Sequence, residues 1–392
     1  MRYAAGVIAF AVALIVSIML HELGHFATAK AFGMKATRFF VGFGPTLWST
    51  RRGETEYGVK AIPAGGFVKI VGMTPLEDVE PGDEDRAFYK QPAGRKIVVL
   101  AAGSVIHFLI AIFLIFVVIA ATHQDPVRSD LRVASVAPCL TGAADGLCTP
   151  SDPSAPAAGR LQSGDVIVSV NGRKVTPDNG TLAQVVSHSV GKPVTFVVVR
   201  QGARRTVLVT PGPVTVDGKV IGRVGVQNEL VAHHVSTAGA VPRTFTTLGQ
   251  LFTSTVSAIG DLPHEVSVIL RGGQRDNGAA SVVGIGRVSG QVASADASLG
   301  ERVATLAFIV AQVNFFVGIF NLLPLLPLDG GHIAIAGYEE ARRRAYRRAG
   351  RPDPGRVDLM KIMPVTYAVV AVFIGLSLLL LYADIVNPIR IQ

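Results

Sequence analysis

Four stretches of this chain are long and apolar enough to cross a lipid bilayer, and they dominate what it can fold into. They cover residues 3–29, 97–121, 303–323 and 364–386. A crossing helix needs about 20 predominantly apolar residues. Inside hydrocarbon the backbone must satisfy its own hydrogen bonds, so each stretch is expected to be a helix. Only 17% of residues are charged, against about a quarter in globular proteins, which excludes an ordinary soluble domain. The second and fourth stretches are Val/Ile/Leu/Phe-rich on every face, which suits lipid contact. The first ends in His21-Glu22-Leu23-Gly24-His25, and the third carries Gln312, Asn314 and Asn321. Polar groups at membrane depth face a partner or a water-filled cavity. Ala27-Thr28-Ala29 has the form of a signal-peptide cleavage site, but the apolar run from Ala4 to Leu20 is 17 residues. That exceeds a usual signal core, so the segment is read as a retained span.

Lys and Arg set the orientation. Residues 29–96 hold 11 and residues 328–363 hold 8, whereas the long segment 122–300 holds 15, few of them near a span. The first two segments are therefore expected on the cytoplasmic side, with 122–300 and both termini outside. The formal charge of +9 is divided as +3 in each of 29–96, 122–300 and 328–363 rather than gathered in one patch, which argues for a topology signal and against a nucleic-acid partner. The run Arg342, Arg343, Arg344, Arg347 and Arg348 suits contact with anionic lipid headgroups.

The outer segment reads as an inserted domain. Gly159-Arg160-Leu161-Gln162-Ser163-Gly164-Asp165-Val166-Ile167 leads into Val170-Asn171-Gly172. A short helix is predicted over 182–188, then strands over 193–200 and 206–209. This order and pattern resemble a PDZ domain. Cys139 and Cys148 stand in an oxidising location, which permits a disulfide. Phe245, Leu248, Phe252, Val256 and Ile259 recur at helical spacing; that helix either lies on the outer membrane face or packs on the third span. Residues 38–72 are Gly-rich and β-branched, and short strands lying in or against the membrane are expected there. The predicted fold is a polytopic α-helical membrane protein with four transmembrane helices, a membrane-associated β-rich loop and an inserted PDZ-like domain. Its parts are residues 1–121, 122–235, an amphipathic connector at 236–300, and 301–392.

His21-Glu22-x-x-His25 puts two imidazoles on one helix face, where both can reach one tetrahedral zinc. Glu22 can then reach a water on that metal. A catalytic zinc needs a third protein ligand and an open position. The stretch Asn321-Leu322-Leu323-Pro324-Leu325-Leu326-Pro327-Leu328-Asp329-Gly330-Gly331-His332 offers two candidates, Asp329 and His332. Asp329 is favoured because two prolines break the chain there, and broken backbone at membrane depth must be buried or line a cavity.

Together these residues resemble the site-2 protease family of intramembrane zinc metalloproteases, in its bacterial branch with one extracytoplasmic PDZ insert. His21 to His25 match the family's HExxH. Asn321, Pro324, Leu328, Asp329 and Gly330 match its N-x-x-P…L-D-G motif, and Gly65-Gly66-Phe67-Val68-Lys69 is similar to its membrane-associated β elements. The resemblance implies Zn2+ held by His21, His25 and Asp329, with Glu22 as general base. It also implies single-span membrane substrates, such as an anti-sigma factor or a remnant signal peptide. Segments 57–62 and 66–71 are expected to accept an extended substrate as an added strand. Asn321, Gly65, Gly66 and Phe67 are then candidate contacts to substrate or oxyanion, and Asn314 either joins them or packs helices. Two departures stand out: Pro327 is present where the family often has proline at the position of Leu326, and the family's G-P-x-x-N occurs here as Gly103-Ser104-Val105-Ile106-His107.

Overall fold

In the computed structural model the described residues are 1–73, 79–140, 148–149, 152–175, 180–216, 219–271 and 280–386. They divide into two units, one comprising Met1–Thr122 with Ala240–Gln392 and the other His123–Gly239.

Among the described residues of the first unit, four helices are long and apolar enough to cross a membrane. These are α1 (Arg2–Ala31), α2 (Ala93–Thr122), α6 (Leu299–Asn321) and α8 (Leu359–Val386). Their ends depart from the apolar stretches for local reasons. The third begins early because Ser298 and Glu301 form a reciprocal capping box. It stops at Asn321 because Pro324 disfavours helix in the residue before it.

Between α1 and α2 the chain forms two long bent strands, β1 (Ala36–Arg52) and β2 (Thr55–Ile70), rather than the several short strands expected from the sequence. The pairing explains the bend. The first part of β1 pairs on one side with 66–70 and on the other with 56–59, and its second part folds back to pair with 55–60. Gly42, Gly44 and Gly65 take positive φ at these bends, which spares the chain a Cβ clash. Ala29, Met34, Ala36, Ile70, Phe88, Val99 and Leu100 are buried together, so the base of the hairpin is cemented to α1 and α2. Phe43, Leu47, Trp48 and Ile62 remain exposed, as suits a surface meeting lipid.

Beyond the second unit the chain continues as α4 (Ala240–Leu270), α5 (Val282–Ser294), α6, α7 (Asp329–Arg348) and α8. Segment 236–300, read from sequence as a connector, is largely helix that belongs to the first unit. Helix α5 packs on α1 through small residues, with Gly6 against Ser289 and Gly290 against Tyr3. Close backbone approach of this kind is how helices associate where burial supplies no drive. Helix α4 turns Leu248, Phe252, Val256 and Ile259 toward an apolar groove of about 680 Å³ shared with Phe108 and Ile112 of α2 and with Phe315 and Ile319 of α6.

The second unit is built on one antiparallel sheet. Its main order is β10 (Val226–His234), β3 (Gln124–Val136), β4 (Val166–Val170), β6 (Val194–Arg200) and β7 (Ala203–Val209), with β5 (Arg173–Lys174) beside β4. A separate ribbon joins β8 (Gly212–Val216) to β9 (Lys219–Arg223), and the short helix α3 spans Thr181–Ser187. Alternate residues of β6 (Val194, Phe196 and Val198) enter a core with Val133, Leu161, Leu182 and Val186, joined by Ile167 and Val170 of β4, which lie on either side of a register shift. Asp165 is fully buried and accepts from Arg200 Nε at 2.7 Å and from the Gln162 N–H at 2.9 Å. Burial alone would raise its carboxyl, but Arg200 and this amide hold it below the usual range. Cys139 and Cys148 are joined as a disulfide with Cα atoms 5.9 Å apart.

Candidate metal centre

His21 and His25 lie on one face of α1, one turn apart, and are 8% and 7% exposed. Their Nε2 atoms stand 3.0 Å from each other. Asp329, at the first position of α7, brings Oδ2 to 3.4 Å from His21 Nε2 and 3.3 Å from His25 Nε2. Among the described residues this is the one cluster of His, Cys, Asp or Glu in which three donor atoms converge within 4.8 Å. His332 is not part of it. It faces a separate small cavity with Phe88, Lys96 and Glu339, where burial pushes its imidazole down and keeps it neutral.

The arrangement fits a tetrahedral metal ion. Donors held about 2.0–2.1 Å from such an ion stand roughly 3.3 Å from one another, close to the three separations here. The hydrogen bonding of His25 prepares the donor. Its Nδ1 lies 2.7 Å from the Val99 carbonyl of α2. A carbonyl only accepts, so the proton sits on Nδ1 and the Nε2 lone pair is free for a cation. That lone pair and the Asp329 carboxylate repel unless a cation lies between them.

Glycines let the helices close around this point. A Cβ on Gly103 would fall 2.4 Å from His21 Cε1 and 2.6 Å from His25 Nε2, and one on Gly24 would fall 2.8 Å from the Ala102 carbonyl oxygen. Gly330 is needed just after the third donor, since its Cβ would meet the Leu322 and Leu323 carbonyls at 2.3 Å. None of these glycines was singled out from sequence for packing; each stood there only as part of a motif, Gly24 in HELGH, Gly103 at the place of G-P-x-x-N and Gly330 in L-D-G.

Glu22 sits beside the donor cluster with the hairpin against it. Gly66 packs on its Cγ, and the Val68 N–H of β2 donates to its carboxylate. Segment 66–70 pairs with β1 on one side only, so its other edge faces this side chain. Gly65 and Phe67 are occupied in the hairpin itself. Phe67 stacks on Phe40 with ring centroids 5.6 Å apart, and Gly65 lies under Phe43. Asn321 is half-buried and makes no hydrogen bond among the described residues. Asn314 does not offer its amide to a substrate. It is 2% exposed and bonds His107 of α2 and the Val310 carbonyl.

The chain matches the family model described as Peptidase family M50 over residues 9–352. It is 38% identical to a zinc metalloprotease Rip1 of Mycolicibacterium smegmatis and 37% identical to a zinc metalloprotease Rip1 of Mycobacterium tuberculosis, in both cases over the whole of each chain. It is 27% identical to the regulator of sigma-E protease RseP of Salmonella typhimurium, over 85% of this chain and 90% of the relative.

Proposed function

The chain belongs to peptidase family M50, and we propose that it is an intramembrane zinc metalloendopeptidase that hydrolyses peptide bonds within or near the spans of single-span membrane proteins. The observation that carries this reading is the convergence of His21 and His25, on a helix apolar enough to cross a bilayer, with Asp329 at the start of α7, beside Glu22. His21, His25 and Asp329 would hold Zn2+. When bound, the zinc supplies a Lewis acid that makes water a nucleophile near neutral pH and polarises a carbonyl.

Glu22 accepts a proton from the attacking water as the new C–O bond forms. It then delivers that proton to the leaving amine as the C–N bond breaks. Asn321 donates its amide to the substrate carbonyl near the break at Pro324. A helical substrate shields its peptide bonds and must be extended first. The free edge of 66–70, beside Glu22, can take an extended segment as an added strand, which gives affinity through backbone bonds without strict sequence preference.

The β-rich unit His123–Gly239 is read as the extracytoplasmic PDZ domain, with the hairpin and the arginine-rich α7 on the cytoplasmic side. Its groove of about 610 Å³, lined by Leu182 and Val186 of α3 and by Val226 and Gln227 of the sheet-edge strand β10, suits a peptide end left by an earlier cut. The physiological substrate is then an anti-sigma factor or a remnant signal peptide, in keeping with the sigma-E role in the Salmonella relative's name.

The test is Glu22→Gln. Turnover of a single-span substrate should fall by at least about 10²-fold while zinc content stays at the wild-type level. A variant that cuts at the wild-type rate removes Glu22 from the mechanism.

A further inference from the structure

The pair His107–Asn314 lies next to the donor cluster and is not used by the chemistry above. His107 is 2% exposed on α2, and its ring stands 4.9 Å from the His21 ring, centroid to centroid. Its Nδ1 lies 2.8 Å from Asn314 Oδ1, while Asn314 Nδ2 donates to the Val310 carbonyl at 2.8 Å. Those two bonds assign the atoms. The amide nitrogen must face the carbonyl, so the amide oxygen faces His107 and accepts. The imidazole proton therefore sits on Nδ1, and Nε2 of neutral His107 carries a bare lone pair. Among the described residues Nε2 meets no hydrogen-bond partner. His107 also stands outside the set of donors that lie within 4.8 Å of one another. It stands one layer outside the three donors.

We propose that His107 is a further residue of the catalytic machinery: its Nε2 accepts a hydrogen bond from the attacking water and turns that water's other proton toward Glu22, while Asn314 holds the ring and its tautomer. The proposal rests on the metalloprotease reading above. No proton moves to His107. One O–H bond of the water breaks toward Glu22 as its oxygen bonds to the carbonyl carbon, and the proton facing Nε2 stays on the oxygen. Two helices thereby share the work of orientation: α1 supplies the base, and α2 supplies the acceptor, locked from α6. Asn314 is the positioning residue, since it acts only through His107.

The experiment uses the full-length enzyme in detergent with His107→Phe, Asn314→Leu and their double variant. His107→Phe should lower kcat by about 10–100-fold with KM and zinc content unchanged. Asn314→Leu should lower kcat similarly, and the double variant should be no worse than His107→Phe, because the two act as one unit. The visible absorption of cobalt-substituted enzyme should change in His107→Phe. Wild-type kcat in His107→Phe, or zinc lost in parallel with activity, overturns the proposal. So does an unaltered cobalt spectrum in His107→Phe, a readout that needs no turnover. A wild-type enzyme that cuts nothing would instead count against the protease reading itself.

Discussion

At the scale of single residues, the chemistry depends on a few small and polar groups set among hydrocarbon side chains. The donors His21, His25 and Asp329 could be chosen from spacing and from the proline break, because those patterns carry their own physical reason. Their supports could not. The Val99 carbonyl that orients His25 is a backbone atom on another helix, and nothing in the local sequence marks it. The same holds for the packing role of Gly103, which reads only as the first residue of a motif until α1 is seen against it. Gly103→Ala should therefore be costly. The added Cβ meets both imidazoles, and overpacking of this kind costs about 1–3 kcal/mol. We expect zinc affinity to fall at least about tenfold, read by metal analysis after dialysis against graded chelator. Wild-type affinity would show that α1 and α2 are not packed as described. His332 shows the converse. It stands three residues from Asp329 in sequence and is the rival donor there, yet the first turn of α7 sends it to a different cavity.

At the scale of elements, the spans were legible because apolar composition over about 20 residues leaves few alternatives. The hairpin was legible only as β structure. Its path depends on β1 pairing with both ends of β2, a long-range choice that periodicity does not encode. Its turn is tied to the rest by Glu54, which accepts from Arg86 Nη1 at 2.7 Å and Nη2 at 2.8 Å and also bonds Lys30 at the end of α1. Arg86, and then Lys30, hold the Glu54 carboxyl down at about 2, from an ordinary 4.5. A carboxyl depressed by folding stabilises fully above its unfolded value and loses that contribution as pH falls through its folded one. The anchor should therefore be intact at pH 5 and weaken progressively toward pH 2. Protection of 46–60 against hydrogen exchange, after division by the intrinsic rate at each pH, should fall across that window in the wild type. In Glu54→Gln it should be low already at pH 5 and change less. Equal profiles would remove Glu54 as the anchor.

At the scale of the whole molecule, the two units divide the labour. All three donors, Glu22, the hairpin and the His107–Asn314 pair lie in the first unit, and the disulfide and the α3–β10 groove lie in the second. Sequence indicated this separation through a change in composition near 122, although the helices α4 and α5 had to be seen packed before their membership was clear. Replacing 123–239 with a short Gly/Ser linker should leave zinc content unchanged and broaden substrate choice, measured on a panel of single-span proteins with large and small outer domains. Loss of zinc would show that the metal centre depends on the second unit. The account as a whole stands on where the cut falls. Purified enzyme should cleave a single-span substrate in detergent, with the new ends mapped by mass spectrometry inside the apolar segment or at its edge. A zinc chelator should stop the reaction, and added zinc should restore it. Cleavage confined to soluble flanks, or cleavage that continues with the metal removed, would contradict it.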